Sequence, residues 1–136
     1  TLELRPTMRL RTRVLQLRRL PEGSGVGYDQ TFVTERESLI ATLPIGYADG
    51  YARALSNRGE VLVRGRRARV VGRVSMDLTM IDVTEVPGVE TGDEVVLWGR
   101  QDGAEIRVGE AAEWAQTISY ELLTTVGRRV PRVYVN

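Results

Sequence analysis

Glu60-Val61-Leu62-Val63-Arg64-Gly65-Arg66-Arg67-Ala68-Arg69-Val70-Val71-Gly72-Arg73-Val74 carries the clearest two-stranded signature in the chain. Two β-branched runs flank a polar break containing glycine, which predicts strands over 60–64 and 68–74 joined through Gly65-Arg66-Arg67. Upstream, 31–34 and 38–45 read as strands, the second closed by Pro44 and Gly46. In 8–20, Arg9, Arg11 and Arg13 interleave with Leu10, Thr12 and Val14 before the apolar set slips to Leu15 and Leu17, so a single strand with a bulge is expected. Downstream, 80–84 and 94–98 are strands separated by Pro87-Gly88 and Thr91-Gly92-Asp93. Only 108–116 and 119–125 favour helix, each about two turns long. About seven short strands predict a mainly β, small barrel-like domain with two short helices near its end. With no internal repeat or linker, residues 1–136 read as one domain.

Composition narrows the chemistry. All 19 basic residues are arginine, and there is no lysine, histidine or cysteine. Covalent attachment of a carbonyl cofactor through lysine, a thiolate nucleophile, a Ser-His dyad and an ordinary zinc site are therefore excluded from the chain's own side chains. Any acid-base chemistry falls to carboxylates, tyrosines or arginines. The net charge of +1 argues against general attraction to nucleic acid or membrane. No apolar run approaches the length of about 20 residues needed to span a bilayer.

Several motifs invite function and are better read as structure. Gly25-Val26-Gly27 begins like a dinucleotide fingerprint, but the third glycine would fall at Gln30 and no helix is expected to follow. The glycines suit a tight loop that brings backbone close to another group. Arg64, Arg66, Arg67, Arg69 and Arg73 form a basic stripe without interleaved aromatics, which fits a solvated strand edge better than a nucleic-acid surface. Asp49 and Asp82 suit ordinary turns, and no paired-carboxylate or metal signature is present. The tyrosines stand apart, because Tyr28, Tyr47 and Tyr120 fall at loops or helix starts beside Gly, Asp or Ser. A phenol is about one part in a thousand ionised at neutral pH, so a tyrosine acting as a base needs a cation nearby, and here only arginine qualifies.

Taken together, Gly25-Val26-Gly27-Tyr28, Leu43-Pro44-Ile45-Gly46-Tyr47-Ala48-Asp49-Gly50-Tyr51, Ala54-Leu55-Ser56-Asn57-Arg58-Gly59, Val71-Gly72-Arg73-Val74-Ser75-Met76-Asp77, Gly92-Asp93-Glu94-Val95-Val96-Leu97, Gly99-Arg100-Gln101 and Ile118-Ser119-Tyr120-Glu121 closely resemble the carboxy-terminal β-domain of alanine racemase. The match runs in order through nearly the whole chain. In that family the domain follows an amino-terminal (β/α)8 barrel that holds pyridoxal phosphate covalently and is absent from this sequence.

The resemblance implies interconversion of L- and D-alanine for peptidoglycan synthesis, in a cytoplasmic head-to-tail homodimer. Each β-domain completes the active site at the mouth of the partner's barrel. Racemisation needs two bases on opposite faces of a planar carbanion. The family uses the cofactor's lysine on one face and a tyrosine on the other, and the motif match makes that tyrosine Tyr28, the base for L-alanine. Met76 resembles the residue whose backbone touches the substrate carboxylate. Tyr47 and Asp77 resemble lining residues of the substrate corridor, with Arg53 and Arg73 farther out, and Tyr120 resembles the tyrosine that hydrogen-bonds the cofactor phosphate. Ser75 stands where many members have Cys, Leu78 where Gln is common and Ser119 where many have Asn. The expected partners are alanine and the barrels of its own and the partner chain, with no nucleic acid or membrane. The alternative is a non-catalytic docking module whose β-surface holds the dimer together.

Overall fold

A computed structural model of the chain describes residues 9–27, 30–51 and 53–116. The ten strands in it are β1 (Leu10–Arg13), β2 (Gln16–Leu20), β3 (Gly25–Val26), β4 (Phe32–Val33), β5 (Ser38–Leu43), β6 (Glu60–Val63), β7 (Arg66–Val70), β8 (Thr79–Asp82), β9 (Glu94–Gln101) and β10 (Ala104–Ile106). They form an antiparallel sheet in the order β1-β9-β6-β7-β8-β5-β2, with β10 on β9, and a small β3-β4 ribbon. The sheet is a strongly curled half-barrel, so the mainly β, barrel-like expectation holds.

The curl has a local origin in the opening segment. β1 and β2 are consecutive in sequence yet lie at opposite ends of the strand order. Val14 exchanges backbone bonds with Gly92 and Asp93, whereas the Leu15 N–H donates to Thr42 O at 2.8 Å. The chain thus crosses from one sheet edge to the other within two residues. The slip from Val14 to Leu15 is this crossing, and the expected single strand is two strands. A register irregularity does occur, but between Leu10 and Arg11 against β9.

The central hairpin forms with a shorter turn than expected. Arg64 and Gly65 occupy it with φ of 52° and 73°. Positive φ at both central residues matches the right-handed twist of the flanking strands. The turn moves back by one residue, and Val63 pairs with Arg66. β7 lies inside the sheet between β6 and β8, so its arginines do not guard an edge. Arg67 instead reaches Glu60 at 3.3 Å and Glu110 at 2.9 Å, with its guanidinium 6.0 Å from the Trp114 ring centroid. Arg64 pairs with Asp93 at 3.0 Å. Two of the five arginines are thus paired with carboxylates of the same chain.

The core runs through Leu43, Leu55, Leu62, Ile81, Leu97 and Trp98, all 1% exposed or less. Full burial of side chains of this size contributes about 1.5–3 kcal/mol each. One α-helix, α1 (Val108–Trp114), closes over the sheet with Ala111 and Ala112 buried. It stops two residues short of the expected end, where Gln116 turns to φ 58°. The second expected helix, 119–125, lies outside the described residues. No helix among the described residues is long and apolar enough to cross a membrane.

Three glutamates link the fold to pH. Partial burial pushes the Glu94 carboxyl up, but hydrogen bonds from Arg11 and Gln101 and the charges of Arg9 and Arg11 outweigh it and hold the group below its ordinary value. Glu110 behaves alike, with burial overcome by the Arg107 N–H and by Arg67. Glu105 is lowered by Arg100 and Arg107. A carboxylate depressed in the folded state stabilises above its unfolded pKa, and that stability is lost as pH falls through the folded value. The melting temperature is therefore expected to hold down to about pH 5 and fall below about pH 4.3. In Glu94→Gln the acid limb of a Tm-against-pH curve should be shallower; an unchanged limb would dismiss Glu94 as a contributor.

Candidate active site

Four strand ends meet at one end of the half-barrel: the start of β6, the end of β7, the start of β8 and the end of β5. Three loops gather there. The first, following β5, makes two short 3-10 turns at Tyr47–Asp49 and Arg53–Leu55. The second, 71–78, joins β7 to β8. The third contains β3 and leads through Gly27.

The first two loops are joined backbone to backbone. The Tyr47 N–H donates to Ser75 O and the Ala48 N–H to Met76 O, each at 3.0 Å. Such close approach requires glycine at 46, because a Cβ there would lie 2.2 Å from Ser75 O. Buried Asp49 closes the turn by accepting the Gly46 N–H at 3.0 Å, the turn role expected of it. The Thr79 hydroxyl donates to Ile45 O at 2.6 Å, and the Ser75 hydroxyl both accepts from Leu78 N–H and donates to Leu78 O at 3.1 Å. Asp82 likewise serves a turn, accepting the Thr84 N–H at 2.9 Å.

The glycine loop packs on the same assembly. A Cβ on Gly72 would stand 2.9 Å from Val26 O, and one on Gly27 would meet the Arg73 N at 3.6 Å. Gly25-Val26 is thus a two-residue strand against another loop's backbone, and no phosphate-binding helix follows it among the described residues.

Tyr47, Arg53, Arg73, Met76 and Asp77 are brought together in these loops and are all exposed. The Arg53 guanidinium lies 5.8 Å from the Tyr47 ring centroid, a cation–π distance that orients both. The Met76 carbonyl is engaged by Ala48, while its own N–H donates to no described residue. Tyr47, Met76 and Leu78 are 45%, 52% and 37% exposed, three large apolar groups on adjoining loops. Tyr51, by contrast, is buried, and desolvation pushes its phenol up, as befits a core residue. Tyr28, Tyr120 and Ser119 lie outside the described residues. The backbone immediately before Tyr28 is nonetheless seated on the loop that carries Met76.

Gly46, Ser56 and Asn57 stand in the quoted motifs but receive no role from the sequence, because their importance depends on loops distant in the chain. The Ser56 hydroxyl donates to Arg53 O and accepts from the Val74 N–H at 2.7 Å. Asn57 accepts from the Gly72 N–H at 2.6 Å and donates to the Thr31 hydroxyl at 3.1 Å.

The fold and loop cluster define a barrel-like β-domain that presents polar and apolar groups at one end, in a chain that has no lysine with which to anchor a carbonyl cofactor. The alanine racemase C-terminal domain model matches residues 7–134. The chain belongs to that family. It is 53% identical over 135 residues to the alanine racemase of Halothermothrix orenii, covering 99% of this chain and 36% of the relative. To alanine racemase 2 of Caldanaerobacter subterraneus subsp. tengcongensis it is 53% identical over 134 residues, covering 98% and 34%. Among solved structures, Bacillus anthracis alanine racemase with bound L-Ala-P superimposes with a TM-score of 0.92 at 43% identity, covering 99% of this chain and 34% of that one. Bartonella henselae alanine racemase with covalently bound pyridoxal phosphate gives 0.87 at 38% identity, covering 93% and 34%. The chain spans about a third of the length of these relatives.

Proposed function

We propose that residues 1–136 form the carboxy-terminal β-domain of an alanine racemase, and that Tyr28 is its base for L-alanine, supplied to the active site of a partner subunit. The observation that carries this reading is the seating of Gly25–Gly27 on Gly72–Arg73, which sets the residue preceding Tyr28 against the loop that offers the Met76 N–H.

Pyridoxal phosphate, when bound in the complete enzyme, supplies the electron sink that makes the Cα proton of alanine removable. This chain fits that group only as a second half of the site, with the covalent anchor in a barrel domain and Tyr120 reaching the phosphate. Its own residues perform the remaining tasks. The Met76 N–H binds the substrate carboxylate, in keeping with the donor left open there. Tyr28 takes the proton from the Cα of L-alanine, and in the reverse direction returns one to the same face. Tyr47 and Asp77, with Arg53 and Arg73 farther out, line the approach. The exposed Tyr47, Met76 and Leu78 side chains suit the docking of this end onto the partner's barrel in a homodimer, so the docking role and the catalytic one coincide on one surface. Such an enzyme would act in the cytoplasm to provide D-alanine for peptidoglycan.

The chain alone is expected neither to racemise alanine nor to retain a pyridoxyl group on any side chain after borohydride reduction, and adding a barrel domain is expected to restore some activity. A coupled assay run on the chain beside the full-length protein checks this. Turnover by the 136-residue chain by itself would refute the divided site.

A further inference from the structure

Asn57 joins two loops that the reaction needs and that nothing else connects through a side chain among the bonds described above. Its amide orientation is fixed by chemistry, because the Gly72 N–H can only donate and so faces the Asn57 oxygen, at 2.6 Å. The amide nitrogen is thereby turned to the Thr31 hydroxyl, at 3.1 Å. Gly72 is the residue whose backbone receives Val26, on the amino-terminal side of Tyr28. Thr31 lies three residues beyond Tyr28 on the other side. One side chain is therefore bonded to Thr31 on the carboxy-terminal flank of Tyr28 and to Gly72, against which Val26 on the amino-terminal flank packs. The backbone at Asn57 has φ of 57°, a left-handed conformation that asparagine tolerates better than most residues. The neighbouring Ser56 hydroxyl fastens Arg53 O to the Val74 N–H, so the same short turn also steadies the Met76 loop.

We infer that Asn57 is a positioning residue for Tyr28, holding the tyrosine's segment in register with the 71–78 loop through Thr31 and Gly72. It touches neither substrate nor cofactor and acts only by fixing where the base stands. The inference rests on Tyr28 being the base for L-alanine. A base held loosely loses rate steeply, since displacement by an ångström costs on the order of 100-fold.

Three variants of the full-length enzyme separate this role from folding. Thr31→Val removes the hydroxyl at an exposed position and leaves the Asn57–Gly72 bond in place. Thr31→Ser keeps the hydroxyl and serves as the conservative rescue. Asn57→Gly removes both bonds while accepting the left-handed backbone. We expect kcat/KM to fall about 3- to 10-fold in Thr31→Val, about 10- to 100-fold in Asn57→Gly, and to stay within about twofold of wild type in Thr31→Ser.

The deciding readout is the primary deuterium isotope effect in each direction. Slowing the tyrosine's step should raise the effect seen with α-deuterated L-alanine and lower that seen with α-deuterated D-alanine, whose label leaves in the step before. An isotope effect does not depend on how much enzyme is folded, so partial unfolding cannot imitate this split. Isotope effects unchanged in both Thr31→Val and Asn57→Gly, in an enzyme that Tyr28→Phe inactivates, would overturn the positioning role and leave the base assignment standing. A Tyr28→Phe enzyme with wild-type rates would overturn both.

Discussion

Tyr28→Phe in the full-length enzyme is expected to abolish measurable L-alanine turnover, a loss of about 100- to 10,000-fold, the usual contribution of a positioned general base. Phenylalanine keeps the ring and removes only the oxygen that carries the proton. Because the two alanines are mirror images with equal free energies, kcat/KM must fall equally in both directions, whichever face the tyrosine serves. The directional signature lies in exchange. With D-alanine, the opposite base can still remove the α-proton, so solvent deuterium should enter recovered D-alanine while L-alanine neither exchanges nor turns over. The absorbance of the bound cofactor should remain, since the covalent anchor lies outside this chain. Wild-type rates, or exchange confined instead to L-alanine, would sink the assignment.

That prediction depends on what the residues alone made legible. The barrel-like class could be read from about seven short strands, and the central hairpin from β-branched runs around Gly65, because such runs carry their meaning locally. The turn lies one residue earlier than the pattern implies, since arginine is an unusual occupant of positive φ and only the twist of the paired strands requires it there. β10 is not legible in the sequence although Asp102-Gly103 is a strong hairpin pair, with φ of 47° and 85°. Three residues on its far side are too few to show an alternating pattern. The division of 8–20 into two strands is invisible in a one-dimensional pattern, because it depends on which sheet edge each half meets.

The site divides in the same way. Met76, Asp77, Arg53 and Arg73 stand out only through the family motifs, with Tyr47 marked also by its place in a loop, and the fold gathers them because β5 and β7 end where β8 begins. Neither composition nor periodicity could have assembled them. Asn57 and Gly46 act through contacts with residues far along the chain, so their roles need coordinates. Under the proposed function, the absence of lysine, which first bars a pyridoxal enzyme, assigns the covalent anchor to another domain.

Gly46→Ala tests how tightly that assembly is built. Gly46 has φ of −153°, an extended conformation open to any residue, so alanine carries no conformational penalty there. The obstacle is space alone. A Cβ would lie 2.2 Å from Ser75 O and 2.6 Å from both Met76 C and Met76 O, all backbone atoms that cannot rotate away. Relieving the clash means moving the two loops apart by about an ångström, which breaks the bonds from Tyr47 and Ala48 to Ser75 and Met76. Two lost hydrogen bonds and the strain of the forced shift together cost about 4 kcal/mol, a fall in melting temperature of about 10–15 °C. Gly92→Ala provides the contrast, with φ of 93° and nothing within 4 Å of the added Cβ. Its cost is conformational only, about 1 kcal/mol. Urea unfolding followed by circular dichroism should place the two midpoints well apart with similar m-values, since neither substitution alters how much surface unfolding exposes. Equal midpoints would mean that the Met76 loop yields at little cost. In the full-length enzyme, Gly46→Ala should also raise KM for alanine beyond what the lost stability explains, because the shift that relieves the clash carries the Met76 N–H away from the carboxylate it is proposed to hold.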